Sequence, residues 1–280
     1  GTGSLTVSSA NVITLSGAFG LPAVNVSGNT LALKGVVSTA SDFTKSGTGL
    51  LVLSAVNTYT GATFINGGTL RINSDSALGA AATAVTVAAG GTLDLSGSVV
   101  ANNINLFGRT VTIAGTGVGN AGAIVNNSNF TQTSAIQALT LSADASIGGT
   151  QGWNVGGIAL ELAGFTLTKT GSNTIAIDGP IVAEGNLTVA QGKLSILGGT
   201  TVLAGTTLPG LITVQSGATL ELGGSVNSFG FTRAVNLLTG ATLATAPSAA
   251  ITTGSAITVA GAATLNVGAG GSFTPSVAIT

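Results

Sequence analysis

Asp75, Asp94, Asp144 and Asp178 are the residues whose type could do chemistry in this chain. Acid–base work or metal binding needs at least two such groups converging, one to give a proton or share a cation with the other. Asp75 and Asp94 stand 19 residues apart, a separation that recurs along the chain. Asp94, however, is the middle residue of Leu93-Asp94-Leu95, whereas Asp75 lies in the turn-like NSDSALG, so spacing alone does not pair them. The 280 residues contain no His and no Cys. A Ser–His nucleophile, thiolate chemistry and His- or Cys-based metal sites are therefore excluded. TGVGNAG (116–122) has a glycine rhythm but no helix to follow it, and reads as a flexible corner, not a phosphate cradle. The four aspartates are expected to be solvated charges. No catalytic, cofactor-binding or metal-binding residue is assigned, and the chain is not expected to be an enzyme.

Two aromatic residues are the remaining candidates for recognition. Trp153 sits in GGTQGWNVGG, where glycines on both sides would let a glycan stack on the indole; Tyr59 sits in NTYTG. Both are expected to be structural, Trp153 filling a corner and Tyr59 forming part of a turn. Phe19, Phe43, Phe107, Phe130, Phe165, Phe229, Phe231 and Phe273 are expected in the core or as end covers.

The elements that would carry these residues share one pattern. Leu5-Thr6-Val7, Leu31-Ala32-Leu33, Leu70-Arg71-Ile72, Leu93-Asp94-Leu95, Val111-Thr112-Ile113, Leu220-Glu221-Leu222 and Leu265-Asn266-Val267 all read aliphatic, variable, aliphatic. Alternation with period two makes a strand with one buried face, and the middle residue then belongs on the wet side. Most triplets follow Gly plus Thr or Ala, as in GGTLRI and GGTLDL, a corner and then a strand. Successive strands begin 19 residues apart (Leu51 to Leu70), then 23 (Leu70 to Leu93), 18 (Leu93 to Val111) and later 23 and 22 (Leu220, Leu243, Leu265).

A repeat of this length built from short strands and glycine corners predicts an all-β, right-handed parallel β-helix, a β-solenoid with coils of about 20 residues. It is expected to run through 1–280 as one continuous domain, less regular at 114–158. A β-sandwich would want more two-residue hairpin turns than Asn66-Gly67 and Asp178-Gly179, and a membrane barrel would want aromatic girdles where aromatics are only 4%.

Charge is scarce: seven basic and eight acidic residues, a formal net charge of −1, and 5% charged overall. Nucleic acid is excluded as a partner because no cationic surface exists to release counterions. No uninterrupted apolar run is long enough for a membrane-spanning helix. Weak mutual repulsion and two uncapped sheet ends lead to the expectation of a non-catalytic structural subunit that associates with copies of itself, end to end or laterally, into a filament or sheath. The alternative is a monomeric adhesin or passenger stalk. Surface glycans or other cells are further expected partners.

KSGTGLLVLSAVNTYTGATFINGGTLRINSDSALG (45–79) resembles the autotransporter-associated β-strand repeat of bacterial passenger domains. The resemblance rests on Lys45, Gly47, Leu51, Leu53, Asn57–Gly61, Ile65–Leu70 and Ser76–Gly79, and continues into AVTVAAGGTLDLSG (84–97). AIVNNS (123–128), LTLSADASIGGTQGWNVGG (139–157) and LTKTGSNTIAIDG (167–179) are similar to the same family, which brings the resemblance to roughly positions 45–240. It implies a large β-solenoid displayed extracellularly or on the outer surface of a diderm bacterium, often carried there by a C-terminal membrane barrel. No terminal aromatic of such a barrel follows Ser276, which leaves export by another route, or a processed fragment, as expectations.

Overall fold

The computed structural model describes residues 4–7, 12–80, 82–96, 103–182, 184–197, 210–223, 229–231, 233–275 and 279–280. Short strands stack in parallel as a β-solenoid of about 11 turns. One wall runs through Ser4–Val7, Ala23–Val26, Phe43–Ser46, Thr63–Ile65, Val85–Val87 and Thr110–Gly115. A second runs through Ile13–Leu15, Thr30–Leu33, Leu50–Leu53, Gly68–Ile72, Gly91–Asp94 and Ile124–Asn126. It continues from Thr166–Lys169 through Asn186–Val189, Leu211–Val214 and Ala234–Leu237 to Ile257–Val259. A third comprises Thr174–Ile177, Lys193–Ile196, Thr219–Leu222, Thr242–Thr245 and Thr264–Asn266.

The triplets are the rungs. Leu31 pairs with Leu51, Leu51 with Leu70 and Leu70 with Leu93, all in parallel, and each is fully buried. Stacking like on like gives one aliphatic column through the rod, each side chain contributing about 1.5–3 kcal/mol of burial. The last triplet departs from this: Leu265 is 47% and Val267 42% exposed. They lie on the terminal rung of the third wall, where no described strand lies beyond to cover them.

The coil length is not uniform. Leu93 pairs with Ile124, a step of 31 residues, whereas Leu51 pairs with Leu70 after 19. The following strand, Gln132–Gly149, is 18 residues long and turns through all three walls. Its first part pairs with Trp153–Glu161, its middle with Thr110–Gly115 and its end with Ile124–Asn126 and Thr166–Lys169. The register slips between Gln132 and Ile136 and again before Ala138, and Ser134 takes a positive φ of 61°. Among the described residues no helix is long and apolar enough to cross a membrane.

Corners are closed by side chains as well as glycines. Asp42 Oδ1 accepts the Ala62 N–H at 2.8 Å, Asp144 Oδ1 accepts Thr166 N–H at 2.8 Å and Asn186 Oδ1 accepts Leu211 N–H at 2.9 Å. Each bond crosses to the next coil where the chain leaves the ladder and a backbone donor would otherwise lack a partner.

Candidate functional site

The four aspartates do not converge. Asp75 is exposed and accepts hydrogen bonds from Ser76 N–H at 2.7 Å and Ser76 Oγ at 3.1 Å, beside a single 3-10 turn. Asp144 is the exposed corner acceptor described above, and Asp178 is exposed at the end of a third-wall strand. Among the described residues no group of three acidic side chains could hold a metal ion.

Asp94 contradicts the expectation of a solvated middle position, being 1% exposed. The stretched coil that follows it explains why. The turn Asn127–Phe130 folds back over this wall, and Asn127 N–H donates to Asp94 Oδ1 at 3.2 Å. Ser96 Oγ donates to the same oxygen at 2.8 Å, and Arg71 Nε reaches Oδ2 at 2.9 Å. Arg71 and Asp94, equivalent residues on successive rungs, thus form a lateral ion pair instead of two separate surface charges. Arg71→Met is expected to lower stability by about 2 kcal/mol in urea unfolding. The carboxylate would keep its two neutral donors but lose its counter-ion, and the partial exposure of Arg71 limits the loss.

The basic residues depart further from a solvated scatter. Lys45 and Lys169 are 0% and 1% exposed, each taking a place in an aliphatic column: Lys45 between Val24 and Ile65, Lys169 between Ile147 and Val189. Lys45 Nζ donates to the carbonyls of Ser46, Gly47 and Gly67 at 2.8, 2.8 and 2.9 Å. Lys169 Nζ donates to those of Thr170, Gly171 and Gln191 at 2.8, 2.8 and 3.0 Å. The two cages are the same device, encoded by KSG and KTG. Burial lowers each ammonium from 10.5 to about 8, so both stay protonated at neutral pH with three donors for three acceptors. Arg109 and Arg233 are likewise buried and clamp corners, Arg109 on the carbonyl of Gly79 at 2.8 Å and on Thr83, Arg233 on the carbonyl of Gly185. All four cations staple carbonyls that the corners leave pointing inward.

The aromatic candidates are sealed. Trp153 is 2% exposed and its indole N–H donates to Gly148 O at 2.9 Å. Tyr59 is fully buried, stacks on Phe43 with centroids 5.2 Å apart and shares a 2.8 Å hydrogen bond with Thr63 Oγ1. Phe107 corrects the expectation for phenylalanines: it is 71% exposed, carried outward by the tight turn at Gly108. The side chains of Phe229 and Phe231 lie outside the described residues. TGVGNAG is pinned as well as turned, because Thr92 Oγ1 accepts Val118 N–H at 2.8 Å and donates to Gly122 O at 3.0 Å.

A concave feature that could receive a ligand lies on the third wall, above Trp153. It is a groove of about 540 Å³ crossing three coils. Ile175 and Ile177 point into the core, so Thr174, Ala176 and Asp178 point out, and Asn154 stands beside Ala176 on the preceding rung. Ala176 presents only a methyl to the groove, Thr131 closes over Gly152, and Thr131 and Thr133 are exposed along the lining. Asn154 joins the coils across this floor: its Oδ1 accepts Ala135 N–H at 3.0 Å and its Nδ2 donates to Asp178 Oδ2. Beneath them Asn173, 6% exposed, donates from Nδ2 to Gly148 O and Gln151 O at 3.2 and 2.8 Å, and its Oδ1 has no protein partner. No residue of this groove except Asp178 and Trp153 stands out in the sequence. Thr, Asn and Gln are common along the whole chain, and the register slip at Gln132–Ile136 that brings these together is a tertiary event.

Residues 43–72 match the family model described as Passenger-associated-transport-repeat. That span holds two strands of the first wall, two of the second and the whole Lys45 cage. Over 140 residues the chain is 36% identical to a protein named Adhesin BmaC autotransporter, from Brucella suis biovar 1 (strain 1330); the match takes in 49% of this chain and 4% of that relative. No solved structure matches. Parallel rungs, glycine corners and both matches agree that this chain is a β-solenoid similar to the repeats of autotransporter passengers.

Proposed function

We propose that the chain is a non-catalytic segment of an adhesin stalk, held outside a diderm cell and extending a binding region away from the surface. The observation that carries this reading is the 140-residue similarity to an adhesin autotransporter. The geometry supports it physically. A rod whose turns contact only their neighbours lengthens by about 4.8 Å per coil without any change in cross-section. Its carboxylates are spread over different corners and walls, with Asp94 locked into an ion pair, which suits a scaffold better than a reaction centre.

The comparisons favour the stalk over the filament expected from charge and open ends, since they point to a passenger and not to an assembly. Sedimentation and negative-stain microscopy of the purified chain test the choice. Separate rods of roughly 50 Å, unchanged as concentration rises, are the expected result. Filaments that lengthen with concentration would replace the stalk with a self-assembling subunit. Displaying the chain on a diderm cell through an outer-membrane anchor and measuring attachment completes the test, attachment no greater than that of the bare anchor counting against an adhesive role.

A further inference from the structure

We propose that the third-wall groove above Trp153 binds a neutral, extended, β-linked oligosaccharide lying parallel to the rod axis. The proposal rests on the stalk reading and names a ligand class for this one groove.

The groove has the size of a ligand site and the chemistry of a hydroxyl receptor. A sugar hydroxyl both donates and accepts, so recognition needs acceptors and donors within one hydroxyl spacing of each other. Asp178 and Asn154 provide that pair, since the carboxylate accepts while the amide donates, and their mutual bond orients both. Only one oxygen of Asp178 is used by that bond. Thr131 and Thr133 are exposed hydroxyls along the facing side. Asn173 Oδ1, buried in the lining without a protein partner, is an acceptor still to be satisfied. Ala176, small and on the outward face of its strand, leaves room for a ring between Asn154 and Asp178.

Charge and periodicity narrow the ligand further. Asp178 is the one charged side chain in the lining, so a polyanion would be repelled and a polycation would find little to hold it. Neighbouring coils that line the groove stand about 4.8 Å apart, close to the advance of one pyranose unit in an extended β-linked chain. An extended ribbon of sugars along the axis would therefore place about one ring over each coil that lines the groove. A helical α-linked chain would lose that match after one unit.

The test is titration of the whole 280-residue chain with cellohexaose and maltohexaose, followed by NMR or calorimetry, at low and high salt. Cellohexaose is expected to bind, maltohexaose at least about tenfold more weakly, and neither to change with added NaCl, because no ion pair forms. Asp178→Ala and Asn154→Ala are expected to weaken binding about tenfold each through lost hydrogen bonds. Ala176→Arg, on the outward face of its strand, should abolish binding by filling the floor while urea unfolding stays as in the parent. No binding of cellohexaose at 10 mM (~10 mM being the weakest useful affinity), equal binding of both sugars, or binding that survives Ala176→Arg would overturn the proposal. If cells attach equally to the parent rod and to the Ala176→Arg rod, the groove is not the site although the stalk reading stands.

Discussion

Replacing both Lys45 and Lys169 with Met is expected to destabilise the rod by about 3 kcal/mol per site and to remove a rise in stability that the parent shows between pH 8 and 10.5. Methionine fills the same column with similar volume, so no cavity is made. What is lost is the donor for three inward carbonyls at each site: Ser46, Gly47 and Gly67 in one cage, Thr170, Gly171 and Gln191 in the other. Each unsatisfied carbonyl costs about 1–3 kcal/mol, offset in part because an ammonium no longer has to be buried.

The sign of the pH effect follows from linkage. Burial lowers both lysines to about 8 in the folded chain, while the unfolded chain titrates near its ordinary 10.5. Between those values the unfolded state binds more protons, so stability increases with pH; below 8 the cost of the buried charge is fully present. Tyr59 acts in the opposite sense. Its phenol, buried and raised from 10.0 to about 12, keeps its proton when the unfolded phenol has lost it, so stability falls from pH 10 to 12. Urea midpoints measured across this range should peak near pH 10. The double Lys→Met variant should lose the rising limb, and Tyr59→Phe the falling one. A flat profile for the parent would show that the cages do not depress the lysines.

Gly68→Ala is expected to be strongly damaging, costing about 3–5 kcal/mol and disturbing the coils on both sides. Gly68 has a φ of +64°, and a Cβ there would lie 2.4 Å from Gly47 O and 2.5 Å from Gly49 O. Those atoms are backbone of the preceding coil, held by the ladder and by the Lys45 cage, so neither can withdraw without breaking hydrogen bonds. Gly90→Ala is the control. Its φ is +88° and nothing lies within 4 Å of the added carbon, so only the left-handed strain of about 1–2 kcal/mol remains. Thermal unfolding of the two variants separates the contributions. Equal losses would mean that conformation, not the approach of adjacent coils, dictates glycine at this corner.

These two positions also show how far the sequence could be read. KSG and KTG are visible as a repeat, and Lys45 belongs to the segment that resembles the passenger repeat. Nothing local says that the lysine points inward, because period-two alternation normally reserves the inner positions for aliphatic side chains. The lysine takes an inner slot because the corners above and below turn three carbonyls toward it, and those carbonyls belong partly to a neighbouring coil 22 residues away. Asp94 fails as a surface residue for a related reason. GGTLDL reads as a half-wet strand, but the turn that covers it comes 33 residues later.

The sequence by itself determined the rungs: aliphatic triplets, the glycine corners between them and a spacing near 20 residues specify parallel stacking, since alternation and turn conformation are properties of a few adjacent residues. Tertiary structure alone decided where the few charges went and which wall carries a groove. Those outcomes depend on which residues of separate coils fall side by side: the cover over Asp94 and the groove both arise from a stretched coil and slipped registers between Leu93 and Trp153.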